Sequence, residues 1–349
     1  MITSIRIVFR DRAARKSALN AVLLSRTTAA ALGVAIFIAV AVGPLSPARA
    51  ASAYPNKAIR IVVGFAPGSG LDVTIRTITP KLSEVLGQQI IVDNRVGASG
   101  IVGTEIAAKA APDGYTLLFA TTDLAINPAL FSTLPYDALK DFAPIGRAVN
   151  FLYFLVVNPD LPVKNVQELL ALAKARPRSL SYASAGNGTP PHIGAEMFKQ
   201  LTKLDLVHVP YKGSAQALTD VISGQVQLMF VNTASSMPYV RTGRLRVLGI
   251  STAQRATIAP DVPTISEAVP GYELVAWTGI VAPSATPRDI VGRLTRDLVR
   301  VLETPDVREK LMSQGSEVTP STAEQFAQVI VADTERLGRV VKTAKMHID

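Results

Sequence analysis

The sequence predicts an α/β protein of two lobes, each built on a mainly parallel β-sheet flanked by helices. Two observations favour this class. After position 50, short β-rich runs alternate with helical patterns of apolar residues, as in parallel strand–helix units. The chain after position 50 is also longer than one hydrophobic core usually organises. We expect the first lobe to comprise residues 51–150 and 276–349, and the second lobe residues 151–275.

Three strands and two helices are predicted for the first part of the first lobe. The strands are expected at 59–65, 90–92 and 115–120, and the helices at 71–85 and 101–110. In both helices, apolar residues recur at a spacing of three or four, which places them on one face. The turn formed by Pro112, Asp113 and Gly114 leads into the third strand.

An apolar run at 152–157 predicts the strand that carries the chain into the second lobe, where the alternation repeats. The elements expected there are helices at 166–174, 193–204 and 215–223 and strands at 180–183, 206–209, 226–231 and 245–250. A strand at 274–281 is expected to return to the first lobe. The helices expected to pack against it lie at 290–302, 307–312 and 322–341.

Residues 1–50 have the features of a secretory signal peptide and are set apart from the fold. A basic segment precedes an apolar run at about 29–45, and a small-residue cleavage pattern ends at Ala50. The apolar run is shorter than the ~20 residues that a membrane-spanning helix needs, and Pro47 follows it. A cleaved leader is therefore favoured over a membrane anchor. We expect Ala51 to be the mature N-terminus, export by the general secretory route and a periplasmic location.

Charge and cysteine content exclude several classes of site. The full chain has 36 basic and 27 acidic residues. Seven of the basic residues and one of the acidic residues lie within 1–50, so the remainder carries a net charge of +3. Because no basic stripe with interleaved aromatic residues is left, nucleic acid is excluded as a partner. The chain has no cysteine, which excludes disulfides, thiolate metal sites and a lipoprotein anchor.

Four glycine-containing loops precede predicted helices and are the most informative feature of the sequence. They lie at 67–70, 97–100, 184–189 and 211–214. Thr189 is placed as an N-cap with Pro190 at the first helical position, and Asp72 is placed to cap the helix after the first loop. Glycine lets the backbone approach a ligand closely, and the unpaired N–H groups of a helix start attract anions.

Two of these loops fall in each predicted lobe, at the carboxyl ends of strands, where open α/β sheets bind ligands. A single glycine-rich turn is more often only a turn, but four in register favour a shared ligand site. They predict a site that binds a small carboxylate through backbone donors, without an arginine clamp. Asp72 would repel such an anion, so a ligand role for it would require a hydroxyl or ammonium partner.

Other side chains carry weaker signals. His192 and His208 are interpreted as structural, because one lies on the first turn of a helix and the other inside a strand. Trp277 is consistent with either a core or a cleft position. Asn232 and Thr233 are expected to line the cleft, because they lie at the end of a predicted strand.

No motif for catalysis or for a metal or cofactor site is present. The chain lacks G-x-S-x-G, Walker A and H-E-x-x-H patterns and has three histidines. No catalytic residue, metal ligand or cofactor is therefore assigned, and an enzyme is the least favoured function.

Several longer motifs extend along residues 54–343. They are PGSGLDV at 67–73, NRVGASG at 94–100, DGY at 113–115, SAGNGTPPH at 184–192, HVPYKG at 208–213 and WTG at 277–279. Together they make the sequence resemble the Bug/TctC family of extracytoplasmic solute receptors. The resemblance implies a periplasmic-binding-protein (Venus flytrap) fold. It also implies a monomeric receptor that delivers a small carboxylate to the membrane subunits of a tripartite tricarboxylate transporter.

The resemblance further implies ligand contacts from loops around 67–72, 121–123, 184–189 and 213–215. With the loops found from glycine and capping patterns, the expected ligand-binding residues are Pro67, Gly68, Ser69, Gly70, Asp72, Thr121, Thr122, Ser184, Asn187, Gly188, Thr189, Gly213, Ser214, Ala215 and Asn232. A sensory binding protein that presents its closed form to a membrane sensor kinase would share this cleft, so it stays an alternative to transport.

The sequence departs from the family pattern at three positions. Ser69 and Leu71 stand where glycine and threonine are common, and Val231 stands where an aspartate is common. Leu71 removes a hydroxyl near the expected cleft and Val231 removes a charge. These departures favour a ligand that is more apolar than a tricarboxylate, such as an aromatic or short-chain acid.

Overall fold

The computed structural model describes residues 54–347, and the signal peptide and cleavage site predicted for residues 1–50 lie outside this range. The described residues form ten strands and ten α-helices. The strands are β1 (Ile59–Val63), β2 (Ile90–Asn94), β3 (Thr116–Thr121), β4 (Phe142–Val157), β5 (Ser181–Ser184), β6 (Val207–Pro210), β7 (Leu228–Asn232), β8 (Arg246–Ile250), β9 (Val275–Pro283) and β10 (Ser316–Val318). The helices are α1 (Gly70–Leu86), α2 (Ile101–Ala108), α3 (Asp123–Leu130), α4 (Val166–Ala175), α5 (Pro190–Thr202), α6 (Ser214–Ile222), α7 (Thr233–Arg241), α8 (Arg288–Leu302), α9 (Pro305–Ser313) and α10 (Ala323–Thr343). None of these helices is both long and apolar enough to cross a membrane.

The first sheet has the strand order β2-β1-β3-β9-β4. Strand β1 pairs in parallel with β2 and β3, whereas β9 runs antiparallel to β3 and β4. Strand β10 adds a short antiparallel pairing to β4. The chain therefore returns to the first sheet through β9, as the apolar run at 274–281 predicted.

The second sheet has the strand order β6-β5-β7-β4, and β8 also pairs with β4. Strand β5 is parallel to β6 and β7, and β4 is antiparallel to β7 and β8. In both sheets the parallel pairs lie on the outer side and the antiparallel pairs lie next to β4. The predicted two-lobed α/β fold is confirmed, but both sheets are mixed and not mainly parallel, because β4 and β9 run antiparallel to their neighbours.

Strand β4 belongs to both sheets. Up to Leu152 it pairs with β9, and from Tyr153 onward it pairs with β7. The pattern at 152–157 predicted only its second half. The first half contains Pro144 and Gly146, which interrupt the apolar pattern, and the register of β4 against β9 shifts between these two residues. Bulges of this kind let a strand accept a proline.

Helices α3 and α7 were missed by the sequence analysis. Each contains an internal proline, Pro128 in α3 and Pro238 in α7, which argues against a helix when only local sequence is considered. Both helices are short, and both begin directly at the end of a strand, at Asp123 after β3 and at Thr233 after β7.

The C-terminal helix α10 packs against both lobes. Phe326 and Ile330 are buried with the core around β3 and β9. About two to three turns after Ile330, Leu337 and Val341 are buried in the core that covers the second sheet. Burial of a large apolar side chain stabilises a fold by ~1.5–3 kcal/mol. Because α10 buries such side chains in both cores, it links the two lobes in addition to the shared strand β4.

Candidate ligand-binding site

A cavity of about 430 Å³ lies where loops from both lobes meet the strands that connect them. This volume is in the range of small-molecule sites. The loops contribute Ser69, Gly70, Leu71, Ser99, Thr121, Thr122, Asp123, Asn187, Gly188, Thr189, Pro190, Ser214 and Asn232. Six helix starts therefore reach one cavity, those of α1, α2, α3, α5, α6 and α7, where the sequence predicted four.

The start of α1 presents free backbone donors to the cavity. Ser69 is the N-cap, and its side chain accepts a hydrogen bond from the Asp72 N–H. Gly70 and Leu71 are the first two helical residues and line the cavity. Their N–H groups have no partner inside the helix, because the first turn of an α-helix lacks preceding carbonyls. The prediction that Asp72 caps this helix was therefore wrong, because the N-cap is Ser69.

Asp72 lies behind the loop rather than in the cavity. It is buried, and its carboxylate accepts hydrogen bonds from the Gly68 N–H at 2.9 Å, Arg76 Nε at 3.0 Å and Asn94 Nδ2 at 2.9 Å. Burial opposes ionisation, but these hydrogen bonds outweigh it and hold the pKa of Asp72 below its usual value. Asp72 therefore fixes the shape of the first loop.

The second loop comes close to the first strand through glycine. A Cβ atom placed on Gly64 would lie 2.8 Å from Gly100 Cα, so neither chain segment has room for a side chain there. Ser99 lies at the edge of this contact and lines the cavity. The glycines of this loop bring the start of α2 against the end of β1.

The start of α3 carries an acidic side chain into the cavity. Asp123 Oδ2 accepts a hydrogen bond from the Thr121 hydroxyl at 2.6 Å, and Thr121 Oγ1 accepts the Asp123 N–H at 3.2 Å. Burial raises the pKa of Asp123, although the Thr121 hydrogen bond opposes this shift. The neighbouring Thr122 is tied to β9, because its Oγ1 accepts the Trp277 N–H at 2.8 Å.

The start of α5 offers fewer donors than its sequence suggested. Thr189 is the N-cap with Pro190 at the first helical position, as predicted. Pro190 and Pro191 lack N–H groups, and the Gly188 N–H already donates to His192 Nδ1 at 3.1 Å. This loop therefore shapes the cavity wall with Asn187 and Thr189 side chains more than it supplies free backbone donors.

A stacked cluster supports this loop from behind. The rings of His192 and His208 lie 4.0 Å apart, and Tyr182 stacks on His208 at 4.7 Å. Ser184 Oγ lies 2.7 Å from His208 Nε2, and the Tyr182 hydroxyl donates to Glu196 Oε1 at 2.6 Å. Burial lowers the pKa of each histidine to about 4, so both are neutral near pH 7. Because His192 accepts the Gly188 N–H, its own proton is assigned to Nε2.

The starts of α6 and α7 complete the second-lobe wall. Ser214 is the first residue of α6 and lines the cavity, and no side chain caps this helix. The first N–H groups of α6 are therefore left without helical partners, as in α1. Asn232 ends β7, lines the cavity and caps α7 by accepting the Ala234 N–H at 2.9 Å.

The remaining wall is mainly apolar. It is formed by Phe65, Leu71, Leu130, Phe151, Tyr153, Ala276 and Trp277. Trp277 is buried, and its Nε1 donates to Asp333 Oδ2 at 2.8 Å, so it belongs to both the core and the cavity wall. None of the described residues that line the cavity is a lysine, an arginine or a histidine.

The residues expected from sequence divide into two groups. Those that line the cavity are Ser69, Gly70, Thr121, Thr122, Asn187, Gly188, Thr189, Ser214 and Asn232. Those that lie outside its lining are Pro67, Gly68, Asp72, Ser184, Gly213 and Ala215. Ser99 and Asp123 also line it; the sequence analysis placed both in candidate loops, at 97–100 and 121–123, without selecting them as ligand-binding residues, and it did not select Asn127 and Thr278, which line the cavity as well.

Two lobes joined by a shared strand, with helix starts from both lobes at one cavity, define the class of two-lobed α/β binding proteins. The chain belongs to the TctC family, described as "Tripartite tricarboxylate transporter family receptor". The model of this family matches residues 74–346. The family resemblance inferred from the motifs is thus confirmed, and the chain is a solute-binding receptor by family.

Three similar proteins illustrate this relationship. Protein BugT of Bordetella pertussis is 34% identical over 312 residues, which cover 88% of this chain and 95% of that protein. The structure of Rpa4515 of R. palustris with adipate matches with a TM-score of 0.72 and 35% identity, covering 84% of this chain and 98% of that one. MatC (Rpa3494) from Rhodopseudomonas palustris with bound malate matches with a TM-score of 0.67 and 31% identity, covering 82% and 100% of the two chains.

Proposed function

We propose that this protein is a periplasmic receptor that captures a small carboxylate in the cavity and delivers it to the membrane subunits of a tripartite tricarboxylate transporter. One observation carries the proposal: the starts of α1 and α6, one from each lobe, reach the same cavity. The N–H groups of Gly70 and Leu71 in α1 have no partner inside the helix, and no side chain caps the start of α6. Helix starts of this kind favour anions through both hydrogen bonds and the helix dipole.

The proposal is supported by two relatives of the same family. Rpa4515 was solved with adipate and MatC with malate, and both ligands are small carboxylates. The match to each covers more than four fifths of this chain. The family name further supports a transporter as the destination of the ligand.

The wall of the cavity favours a ligand with an apolar body. Leu71, one of the departures from the family pattern, lines the cavity together with Phe65 and Phe151. Val231, another departure, is buried in the core. Contacts with this wall stabilise the apolar part of a bound ligand, whereas several ionised carboxylates would lie against it without cationic partners. We therefore favour a mono- or dicarboxylate over a tricarboxylate.

Ligand capture is proposed to shift the lobes toward a closed state. The lobes share β4, which changes partners between Leu152 and Tyr153, and β9 crosses beside it. Phe151, Tyr153 and Ala276 lie in this crossing and also line the cavity. A ligand held by helix starts of both lobes stabilises the closed arrangement by its greater affinity for it.

A blocking variant tests the location of the site. Gly70 lines the cavity, and a Cβ atom placed there would meet nothing within 4 Å, so Gly70→Phe is expected to fill the cavity without strain in the fold. A thermal-shift screen of mono-, di- and tricarboxylates, aromatic acids and amino acids should first find a ligand of the unmodified protein. Gly70→Phe should then lose at least about 100-fold in affinity for it, by calorimetric titration.

The matched control is Gly292→Phe. Gly292 lies in α8, away from the cavity lining, and a Cβ atom there would make an ordinary contact of 3.5 Å with Arg296. This variant should bind as the unmodified protein does. Full affinity in Gly70→Phe, or no binding of any acid by the unmodified protein, would overturn the proposal.

Delivery is tested by transport. Membrane subunits reconstituted in vesicles should take up the identified acid only when the unmodified receptor is added, and Gly70→Phe should not support uptake. Uptake that is independent of the receptor would contradict the assigned role. For export, the amino terminus of the protein isolated from the periplasm should be Ala51.

A further inference from the structure

Asp123 is an unusual residue for a cavity that attracts anions. Among the described residues that line the cavity it is the only acidic one, and no basic side chain lines the cavity with it. Its carboxylate makes no ion pair within the described chain, and it accepts a hydrogen bond from the Thr121 hydroxyl at 2.6 Å. In a site of low polarity, such a carboxylate repels a ligand carboxylate and attracts a hydrogen-bond donor.

Asn127 provides a second, independent observation. It lies one turn after Asp123 on α3, lines the same cavity and is only 1% exposed. Its Nδ2 donates to Ser99 O at 3.3 Å and to the Tyr136 hydroxyl at 3.4 Å. Because Ser99 O is a carbonyl and can only accept, the amide nitrogen must face it, which fixes the position of Asn127 Oδ1. That oxygen has no hydrogen-bond partner within residues 54–347.

The two acceptors share one region of the cavity. Residues four apart on a helix lie on the same face, so Asp123 and Asn127 are neighbours along α3. A smaller chamber of about 10 Å³ adjoins the main cavity at the same place, and Ser99, Thr121, Asp123 and Asn127 line both. A buried acceptor left without a donor is costly, so this region is suited to a group that donates hydrogen bonds.

We infer that Asp123 and Asn127 form a subsite for a hydrogen-bond donor, and that the ligand is a carboxylate that also carries a hydroxyl or ammonium group. This inference rests on the proposed carboxylate function. The carboxylate lies toward the starts of α1 and α6, and the donor group lies toward α3. Asp123 favours this orientation, because the reverse placement would bring two carboxyl groups together in a poorly solvated site, where both could not be ionised.

Matched acids test the subsite. Each series consists of three acids with the same carbon skeleton that carry a hydrogen, a hydroxyl or an ammonium group at the same carbon. The series are succinate, malate and aspartate; adipate, 2-hydroxyadipate and 2-aminoadipate; and phenylacetate, mandelate and phenylglycine. In each series that binds, the hydroxyl or the ammonium acid should bind about 10- to 100-fold more tightly than the unsubstituted acid in calorimetric titrations, as expected for a hydrogen bond to a charged group.

Substitutions of Asp123 separate charge from hydrogen bonding. Asp123→Ala should remove the preference, lowering the affinity of the donor-bearing acid about 10-fold or more and leaving that of the unsubstituted acid unchanged or higher. Asp123→Asn keeps a carbonyl acceptor without charge, so a hydroxyl acid should retain part of its advantage, and an ammonium acid should lose it. Asp160→Asn, at an exposed carboxylate that does not line the cavity, is the matched control and should leave both affinities unchanged.

Asn127→Leu removes the second acceptor at similar volume. It should reduce the preference for the donor-bearing acid, and its thermal midpoint without ligand reports whether the fold is retained. If this variant is too unstable to measure, the Asp123 variants decide the matter alone.

The outcomes distinguish the two proposals. If no acid of any series binds, the carboxylate function fails, and the donor subsite fails with it. If acids bind and the unsubstituted member is equal to or better than its partners, the donor subsite alone is wrong. If a preference exists but survives in Asp123→Ala, it arises elsewhere in the cavity, and the assignment to Asp123 is overturned.

Discussion

The two sides of the cavity hold their glycine-containing loops by different chemistry. On the first-lobe side, the ionised carboxylate of Asp72 gathers donors from Gly68, Arg76 and Asn94. On the second-lobe side, the loop rests on two neutral, stacked histidines, His192 and His208. A buried charge requires several donors, whereas neutral rings are held mainly by stacking and by one hydrogen bond each. The two sides should therefore respond differently to acid and to substitution.

Mild acid is expected to give the largest effect, and only through the second-lobe side. The pKa values of His192 and His208 are lowered by burial to about 4, below their usual 6.5. Between these pH values the unfolded chain binds protons that the folded chain does not, so stability is complete above pH 6.5 and is lost as the pH falls toward 4. At about 1.4 kcal/mol per pH unit for each histidine, the free energy of unfolding should be lower by about 4 kcal/mol at pH 5.

Urea unfolding between pH 7.5 and 5 measures this loss. The double variant His192→Gln, His208→Gln should have a flatter profile over the same range. Amide hydrogen exchange should detect earlier opening around β5 and α5 than around β1 and α1, because the pKa of Asp72 lies below its usual value. An unchanged slope in the double variant would show that the histidines are not the source of the acid sensitivity.

Substitution of Asp72 should give the next largest effect, on the first-lobe side. Asp72→Ala leaves the Gly68 N–H without its acceptor and removes the carboxylate that the Asn94 amide and Arg76 share, although Asn94 still donates to Phe65 O and Arg76 to Asn94 Oδ1. We expect the free energy of unfolding at pH 7.5 to fall by about 3 kcal/mol. Ligand affinity should fall as well, because the start of α1 loses its support.

The matched control for Asp72 is Asp160→Ala. Asp160 is an exposed carboxylate, so its removal should change stability by less than about 0.5 kcal/mol. Equal stability of the two variants in urea unfolding would mean that the carboxylate network does not hold the first loop.

The smallest effect is expected at Tyr182, beneath the histidine pair. Tyr182→Phe keeps the stacked ring and removes the hydroxyl that donates to Glu196, while Lys199 still donates to Glu196 at 2.7 Å. Thermal or urea unfolding should show a loss of about 1 kcal/mol, with ligand affinity unchanged. Tyr239→Phe, at a partly exposed tyrosine of α7, should have no measurable effect. A loss of more than about 3 kcal/mol at Tyr182 would indicate that the hydroxyl, and not the stacking, holds the cluster.

The sequence was informative about the elements because their signals are local. The spacing of apolar residues predicted most of the helices, and Thr189 is the N-cap with Pro190 at the first helical position, as predicted. Local rules failed where tertiary contacts outweigh them. The first half of β4 accepts Pro144 at a bulge, and α3 accepts Pro128 between the two lobes.

By itself, the sequence determined the two-lobed α/β class, the family and the four glycine-containing helix starts, because each follows from neighbouring residues. Tertiary structure alone decided which of those residues reach the cavity. Ser184 and Asp72 were expected there, but hydrogen bonds to His208 and Arg76 hold them behind it. Asp123 and Asn127 follow β3 and Ser99 follows β2, and they meet only because both strands pair with β1. The distances between such residues depend on strand order, and spacing along the chain does not encode it.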